Sequence, residues 1–421
     1  MSVSTKPGAA EQRQNSREQL LHLLAEAAEL EHNLLCCYLY AVFSMKRRGQ
    51  PGVTDAQADT VDEWRTSIMQ VAMEEMVHLA LVANLTVAVG GRPHFNRPNM
   101  PVSPLYHPAN IVVELAPFSV DTIEHFIFLE RPEGSDVKDG KSFAEAAGDY
   151  HRGPHPAASV MPSAMDYETI GDFYERLRTC MQDLARDLGE ATLFCGGVAG
   201  QLGPTQLDMP GIRAVATLDD AMEAIDTIVT QGEGGKSDHD TSHYNRFVAI
   251  RKQLIALSEA DAAFVPAWPA ARNPLMRKPA EGARGVHVSA VAAAQVLDLA
   301  NAVYGLMLRA LAAAWGKRVP LPDGAVRPER ALDLAMRLMG IVAALGAHLC
   351  TLPLSDADDD TTAGMTFTML RATDAILAHC EQTWIAERLQ DVVHTARRIA
   401  EAEPALAAVV SRLEAIAGDD A

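Results

Sequence analysis

The chain has 421 residues, of which 48% are apolar, so it can bury a large core and accommodate more than one domain. Its formal net charge of −19 argues against nucleic acid and anionic membranes as partners, because both attract a basic surface. No uninterrupted apolar run reaches the roughly 20 residues of a membrane span, and the polar N-terminus lacks the apolar core of a signal peptide. We therefore predict a cytoplasmic protein.

The first predicted helix contains a carboxylate on its core-facing side. Residues 1–16 are expected to be a disordered tail, and the helix is predicted over 16–48. Glu31 falls where the helical period calls for an apolar residue. Tyr38 lies two turns later on the same face, where its hydroxyl needs a partner such as a carboxylate or a metal-bound water. Tyr38 is thus our candidate catalytic residue, with a structural core tyrosine as the alternative.

A polar turn at 49–60 leads to a second amphipathic helix, predicted over 64–92, whose apolar stripe is interrupted by Glu75 and His78. Residues three apart on a helix share a face, and a buried carboxylate without a partner is costly. Glu-x-x-His is the ligand pair of di-iron carboxylate bundles, whereas a satisfied core histidine beside a solvent-reaching glutamate is the alternative. Antiparallel pairing of the two helices would bring Glu31 to this pair and form half of a carboxylate-bridged metal site.

The next segment, residues 92–165, is a long connection rich in proline and asparagine, with one helix predicted to begin after Ser119. A long crossover after two helices is typical of ferritin-type bundles, in which it joins the two halves. An inserted subdomain is the alternative for this segment. Its histidines lack paired spacing, and we interpret them as surface or loop residues.

A third bundle helix is predicted to begin near Tyr167. Three acidic residues in its N-terminal half are candidates to face the metal site: Glu168, Asp172 and Glu175. We favour Glu175 because it lies near mid-helix beside Tyr174. Solvated acids on the outer face of the helix are the alternative.

The fourth helix is predicted over 214–235 and is interrupted before a helical pattern resumes at 237. A broken helix loses hydrogen bonds, so such breaks often mark functional sites. Glu233 before the break and His243 after it are predicted to be the counterparts of Glu75 and His78. His239 is a competing ligand, and a solvated linker is the alternative.

Several stretches resemble one known family and occur in its order over most of residues 17–370: ELEHNLLCCYLYA, EEMVHLALVANLTVAVGG, ERPEG, YETIGDFYE, IDTIVTQGEG with SHYNRF, and AGMTFTML. This is the ferritin-like family that includes the C-terminal part of iminophenyl-pyruvate dimer synthases, enzymes of bisindole pigment biosynthesis. The Glu31-to-Tyr38 spacing and the Glu-x-x-His pair also resemble ligand positions of bacterioferritins. Spacing and resemblance together indicate one set of metal ligands: Glu31, Glu75, His78, Glu175, Glu233 and His243.

The predicted fold is all-α, with a ferritin-like four-helix bundle, a long crossover and an additional C-terminal helical region. The bundle is assigned to 17–260, with the crossover insertion at 92–165. A proline-rich linker follows at 261–286, and residues 287–421 form the C-terminal helical domain.

The implied function is that of a non-haem di-iron oxidase or oxygenase that uses O2 on a small organic substrate, of the kind found in secondary metabolism. Glutamate-rich ligation suits iron or manganese better than zinc, which prefers cysteine and histidine. Two alternatives remain, namely an iron-oxidising or iron-binding protein without an organic substrate, and a non-catalytic helical scaffold with a vestigial metal site. The sequence leaves homo-oligomerisation open.

Overall fold

The computed structural model describes residues 16–108, 111–148, 150–153, 161–232, 241–317 and 320–419. The predicted N-terminal tail at 1–16 therefore lies outside the described residues, apart from Ser16. Within these ranges the chain is predominantly helical, as predicted, and forms a few very short strands.

The described ranges contain twelve α-helices, two 3-10 turns and four strands. The helices are α1 Arg17–Ser44, α2 Asp55–Ala88, α3 Val120–Leu129, α4 Lys141–Ala144, α5 Ile170–Leu188, α6 Glu190–Leu193, α7 Leu218–Gly232, α8 His243–Ala260, α9 Val291–Ala314, α10 Pro328–Leu349, α11 Glu381–Ala400 and α12 Ala407–Asp419. The 3-10 turns are Ala378–Cys380 and Pro404–Leu406. The strands pair as β1 Pro274–Leu275 with β2 Val286–His287 in parallel, and as β3 Pro353–Ser355 with β4 Asp358–Thr362 in antiparallel.

Side-chain caps fix the start of the first two helices. The Ser16 hydroxyl accepts a hydrogen bond from the backbone N–H of Gln19, which is where α1 was predicted to begin. Helix α2 begins at Asp55 rather than at residue 64, because Thr54 and Gln57 form a capping box that extends the helix toward its N-terminus. The apolar stripe, from which the helix start was predicted, does not reach this capping box.

Helices α1 and α2 pack against each other along their length and form one half of the bundle. The other half is built from four shorter helices, with α3 packed on α8 and α5 packed on α7 and α1. The end of α3 adjoins the start of α5, since the Arg131 guanidinium donates to the carbonyl of Glu168 at 2.6 Å. The crossover segment thus contributes α3 to the bundle. Each of the two remaining positions of the four-helix bundle is occupied by two shorter helices instead of one long helix.

The C-terminal helices cover the outer face of the α1–α2 pair. Helices α9 and α10 pack on each other, and α10 also contacts α1. Apolar side chains of the bundle and of the C-terminal helices belong to one continuous buried cluster. The segment predicted as a linker is hydrogen-bonded to the end of α1, where the backbone N–H of Trp268 donates to the carbonyl of Ser44.

Three helices, α2, α9 and α10, are long and apolar enough to cross a membrane by length and composition. None of them is an uninterrupted apolar run, which is why the sequence pattern predicted no membrane span. In the structure, 83%, 67% and 50% of the most apolar window of these helices is buried inside the protein, respectively. Packing on neighbouring helices therefore accounts for most of the apolar character of α2.

Removing the cap of α2 tests the stated cause of its extended N-terminus. Thr54→Ala should lower the stability of the folded protein by about 1 kcal/mol, because it leaves helix N–H groups without a partner. Thr60→Ala, within the same helix, is the matched control and should be neutral or slightly stabilising, since alanine favours helix interiors. Thermal unfolding of both variants measures the difference, and equal midpoints would contradict the assignment.

Candidate metal centre

Three buried side chains from α1 and α2 face one another at the middle of the bundle. Glu31 comes from α1, and Glu75 and His78 lie one turn apart on α2. His78 Nδ1 lies 3.2 Å from Glu75 Oε2 and 3.4 Å from Glu31 Oε2. One ligand atom from each of the three residues lies within 4.8 Å of the others, which is close enough to hold a single metal ion.

A second group of three shares Glu75 with the first. Glu130 is the C-cap residue directly after α3, and His243 is the first residue of α8. His243 Nδ1 lies 3.0 Å from Glu75 Oε1 and 3.5 Å from Glu130 Oε1. The ligand atoms of this group also lie within 4.8 Å of one another. The two oxygens of Glu75 therefore face different groups, so this one carboxylate could contact an ion in each of them.

Each outer carboxylate is held by a buried tyrosine hydroxyl. The Tyr174 hydroxyl, from α5, donates to Glu31, and the Tyr38 hydroxyl, from α1, donates to Glu130. Both tyrosine side chains are fully buried. Hydrogen bonds of this kind orient ligating carboxylates and restrict them to one position. The two halves of the site therefore have the same construction, with one carboxylate, one tyrosine and one histidine on either side of Glu75.

The Nε2 atom of each histidine also has a hydrogen-bond partner. His78 Nε2 lies 2.9 Å from Gln231 Oε1, and His243 Nε2 lies 2.9 Å from Glu74 Oε2. The two rings are stacked, with centroids 5.5 Å apart. In metal sites the nitrogen that does not bind the metal is usually held in this way, which fixes the ring orientation. In this structure the arrangement leaves both Nδ1 atoms directed at the central carboxylate.

The charges of the cluster are balanced internally. Burial and the neighbouring charge of Glu75 raise the pKa of Glu31 to about 8. Burial alone would raise the pKa of Glu75, but His78 and His243 outweigh it and hold that pKa well below its usual range. Burial alone would lower the pKa of His78, but the carboxylates of Glu75 and Glu31 raise it to about 10. Without metal, the cluster is therefore stabilised by imidazolium–carboxylate pairs at neutral pH.

The donor atoms fit a pair of divalent metal ions. His243 Nδ1 is buried, and within the described part of the chain neither nearby carboxylate meets it with hydrogen-bond geometry. A cavity of about 20 Å³ lies among the side chains of Glu31, Glu75, His78 and Glu130. Three carboxylates and two imidazoles around a shared glutamate form an oxygen-rich set that suits iron or manganese.

The structure does not bring Glu175 to the cluster. Its side chain is 66% exposed and pairs with Arg178 at 3.0 Å. The reason is helical geometry, because Tyr174 occupies the inward position and the next residue is turned about 100° away from it. The other two acids considered for this helix, Glu168 and Asp172, also lie outside the two metal-competent groups.

Of the residues predicted around the break in the fourth helix, His243 lies in the second group. Helix α7 ends at Gly232, and α8 begins at His243 with Ser242 as its cap, whose hydroxyl accepts from the N–H of Asn245. Glu233 and the competing ligand His239 lie outside the described residues. Glu233 accordingly stays a prediction.

Glu130 was missed in the sequence, although two signals mark it. It belongs to the quoted ERPEG motif and follows the apolar end of the helix that was predicted after Ser119. It also lies four residues after Phe126 and seven after Ile123, both of which are buried on α3. The periodicity that located Glu31 and Glu75 would have placed Glu130 on the buried face as well, had the helix been extended by one residue.

A family model described as Ferritin-like matches residues 24–252, which is more than half of the chain. The chain belongs to the ferritin-like family. This match confirms the predicted family and the predicted all-α, ferritin-like fold class. A solved structure titled as a ferritin-like protein from Caulobacter vibrioides is 18% identical with a TM-score of 0.41, covering 68% of this chain and 82% of that one.

Two curated relatives are named as a synthase and a dimerase, in agreement with the resemblance to dimer synthases. Dichlorochromopyrrolate synthase from Lentzea aerocolonigenes is 26% identical over 376 residues, which is 80% of this chain and 35% of that protein. The 2-imino-3-(indol-3-yl)propanoate dimerase from Chromobacterium violaceum is 28% identical over 380 residues, covering 83% and 34%. The ferritin-like chain thus spans about a third of the length of these relatives.

The structure predicts that Glu130, and not Glu175, is a metal ligand. Glu130→Gln should lower metal affinity at least about 10-fold or reduce the bound metal by one ion per chain, because the second group loses its outer carboxylate. Glu175→Gln should leave metal binding unchanged, since that side chain is exposed. Metal titration of both variants distinguishes them, and equal effects would overturn the assignment.

Metal binding should also release protons. The pKa of His78 is raised to about 10 and that of His243 is raised well above its usual value, so both rings carry a proton near neutral pH. A ligating histidine must be neutral, and affinity should therefore increase as the pH rises from about 6 to 8. Calorimetry in buffers with different ionisation enthalpies measures the number of protons released. Affinity that is independent of pH over this range would contradict the assigned protonation.

Proposed function

We propose that this protein is a dimetal oxidase or oxygenase that binds two iron ions and oxidises a small organic substrate with O2. The observation that carries the proposal is the position of Glu75, whose two oxygens face two separate groups of metal-competent side chains. An isolated buried salt bridge needs only one partner, whereas a carboxylate between two histidine–carboxylate groups is the arrangement of di-iron bundles.

The residues of this chain would hold the metals and exclude water. Glu31 and His78 would bind one ion, Glu130 and His243 would bind the other, and Glu75 would bridge them. Iron ions bound there would pass electrons from the organic substrate to O2. The predicted ligand Glu233 remains part of the proposal as a further donor.

The tyrosines next to the carboxylates have a positioning role in this proposal. Tyr38 and Tyr174 donate hydrogen bonds to Glu130 and Glu31, and burial is the first cause that raises the pKa of both phenols well above the usual value. They stay protonated at neutral pH and keep each carboxylate from rotating. Tyr38 remains our candidate for direct participation in the chemistry, because its hydroxyl lies beside the second metal position.

The organic substrate is inferred from the relatives rather than from the bundle. Both relatives are named for reactions on small organic molecules, and the chain aligns with them over 80% or more of its own length. We therefore propose a small organic substrate and a cytoplasmic enzyme of secondary metabolism. Manganese is the second choice of metal, because the same oxygen-rich ligands suit it.

Substrate-dependent O2 consumption tests the proposed function. Iron-loaded protein should consume O2 faster when an amino-acid-derived imine is added, and 2-imino-3-(indol-3-yl)propanoate is the first compound to try because one relative is named for it. Glu75→Gln should abolish the substrate-dependent rate, since both metal positions lose their shared ligand. The matched control is Glu175→Gln, which should retain the rate.

The outcomes separate the proposal from its alternatives. Iron-dependent O2 consumption that no organic compound accelerates would contradict the oxidase proposal and favour an iron-oxidising protein. Protein that binds no iron after anaerobic Fe(II) loading would favour a non-catalytic scaffold with a vestigial site.

A further inference from the structure

A second cavity, of about 250 Å³, lies on the opposite side of the α1–α2 pair from the metal centre. It is enclosed between this pair and the α9–α10 pair. His32 and Met76 line it, and each directly follows a residue of the metal centre in the sequence, Glu31 and Glu75 respectively. Since successive residues on a helix point about 100° apart, the two sites use different faces of the same helices.

The lining of this cavity is almost entirely apolar and unusually rich in methionine. Its methionines come from α2, α9, α10 and the segment before α7, and they are Met69, Met76, Met209, Met307, Met336 and Met339. Methionine side chains are flexible and polarisable, so they adapt to ligands of irregular shape. Apolar cavities hold water poorly, because water needs several polar partners. The cavity is therefore suited to an organic occupant.

The polar groups at one wall are satisfied by each other. His32 Nδ1 lies 3.0 Å from the carbonyl of Phe95, which can only accept, so this nitrogen carries the hydrogen. His32 Nε2 must then accept from the Tyr304 hydroxyl at 2.5 Å, and the Arg97 guanidinium donates to the same hydroxyl at 3.2 Å. Burial keeps the pKa of His32 well below its usual value, so the ring is neutral. The Arg97 guanidinium lies behind Tyr304 and does not line the cavity, so no charged side chain among the described residues faces the ligand space.

The size and the aromatic lining of the cavity limit which ligands it can bind. An apolar cavity of about 150 Å³ is known to admit benzene, so the larger volume here accommodates a two-ring aromatic. Aromatic side chains line part of it, and Phe95 meets Trp315 edge-on with ring centroids 5.6 Å apart. Met336, on α10, lines the cavity and is 44% exposed, so its side chain contacts both the cavity and solvent.

We propose that this cavity binds an uncharged, apolar small molecule of about the size of a two-ring aromatic. The site is separate from the metal centre, and its occupancy does not depend on metal. Helices α1 and α2 thus separate two sites of opposite chemistry, one made of buried charges and one of apolar side chains.

Calorimetric titration of the full chain with indole, a neutral two-ring probe, tests the proposal. We expect saturable binding of about one molecule per chain. Indole-3-carboxylate, which adds a charge to the same ring, should bind at least about tenfold more weakly because the cavity cannot pair that charge. Removal of metal with a chelator should leave indole binding unchanged, which distinguishes this site from the metal centre.

Variants on the cavity wall locate the binding. Ala343 on α10 lines the cavity, whereas the adjacent Ala344 does not. Ala343→Phe should fill the space and weaken indole binding at least about tenfold, while Ala344→Phe should retain it. Ala80→Leu, on the α2 wall, is a second filling variant in case the first destabilises the fold. Absence of saturable binding by the wild type, equal binding of the charged analogue, or unchanged binding in folded Ala343→Phe and Ala80→Leu would each overturn the proposal.

Discussion

The buried carboxylate of Glu75 is the constraint on which the rest of the bundle depends. Only 2% of its side chain is exposed, and a carboxylate at that depth stays ionised only with positive or metal partners. His78 supplies one partner from the same helix, and His243 supplies the other from α8. Two helices that are far apart in the sequence must therefore meet at this point.

The breaks in the second half of the bundle follow from the same requirement. Glu130 caps the C-terminus of α3 and His243 begins α8, so two of the cluster residues lie at helix termini. A carboxylate at the C-terminal end of a helix and a protonated histidine at the N-terminal end are both unfavourable with respect to the helix dipole. Here each offsets the charge of the other across 3.5 Å, and the Tyr38 hydroxyl further stabilises Glu130. Charged residues at helix ends where the helix dipole disfavours them are typical of functional sites.

The sequence was sufficient for those parts of the site that lie on long regular helices. Glu31, Glu75 and His78 each interrupt a clear apolar stripe, so their inward direction could be read from the period. Glu130 was missed because it lies at the end of a short helix inside a segment interpreted as a connection. Glu175 was chosen for its position along the helix. Whether a residue reaches the site depends instead on the direction of its side chain, and on this helix Tyr174 points inward while Glu175 is exposed. The apolar cavity could not be foreseen, because its wall joins His32 to Tyr304 across 272 residues of sequence.

The central claim is that two metal ions share Glu75, and X-ray absorption spectroscopy of the iron-loaded protein tests it most directly. The account predicts about two iron ions per chain, with oxygen and nitrogen ligands and a metal–metal distance of roughly 3.5–4 Å, as in other two-metal sites. Iron that binds at one ion per chain, or two ions without a short metal–metal distance, would contradict a shared carboxylate.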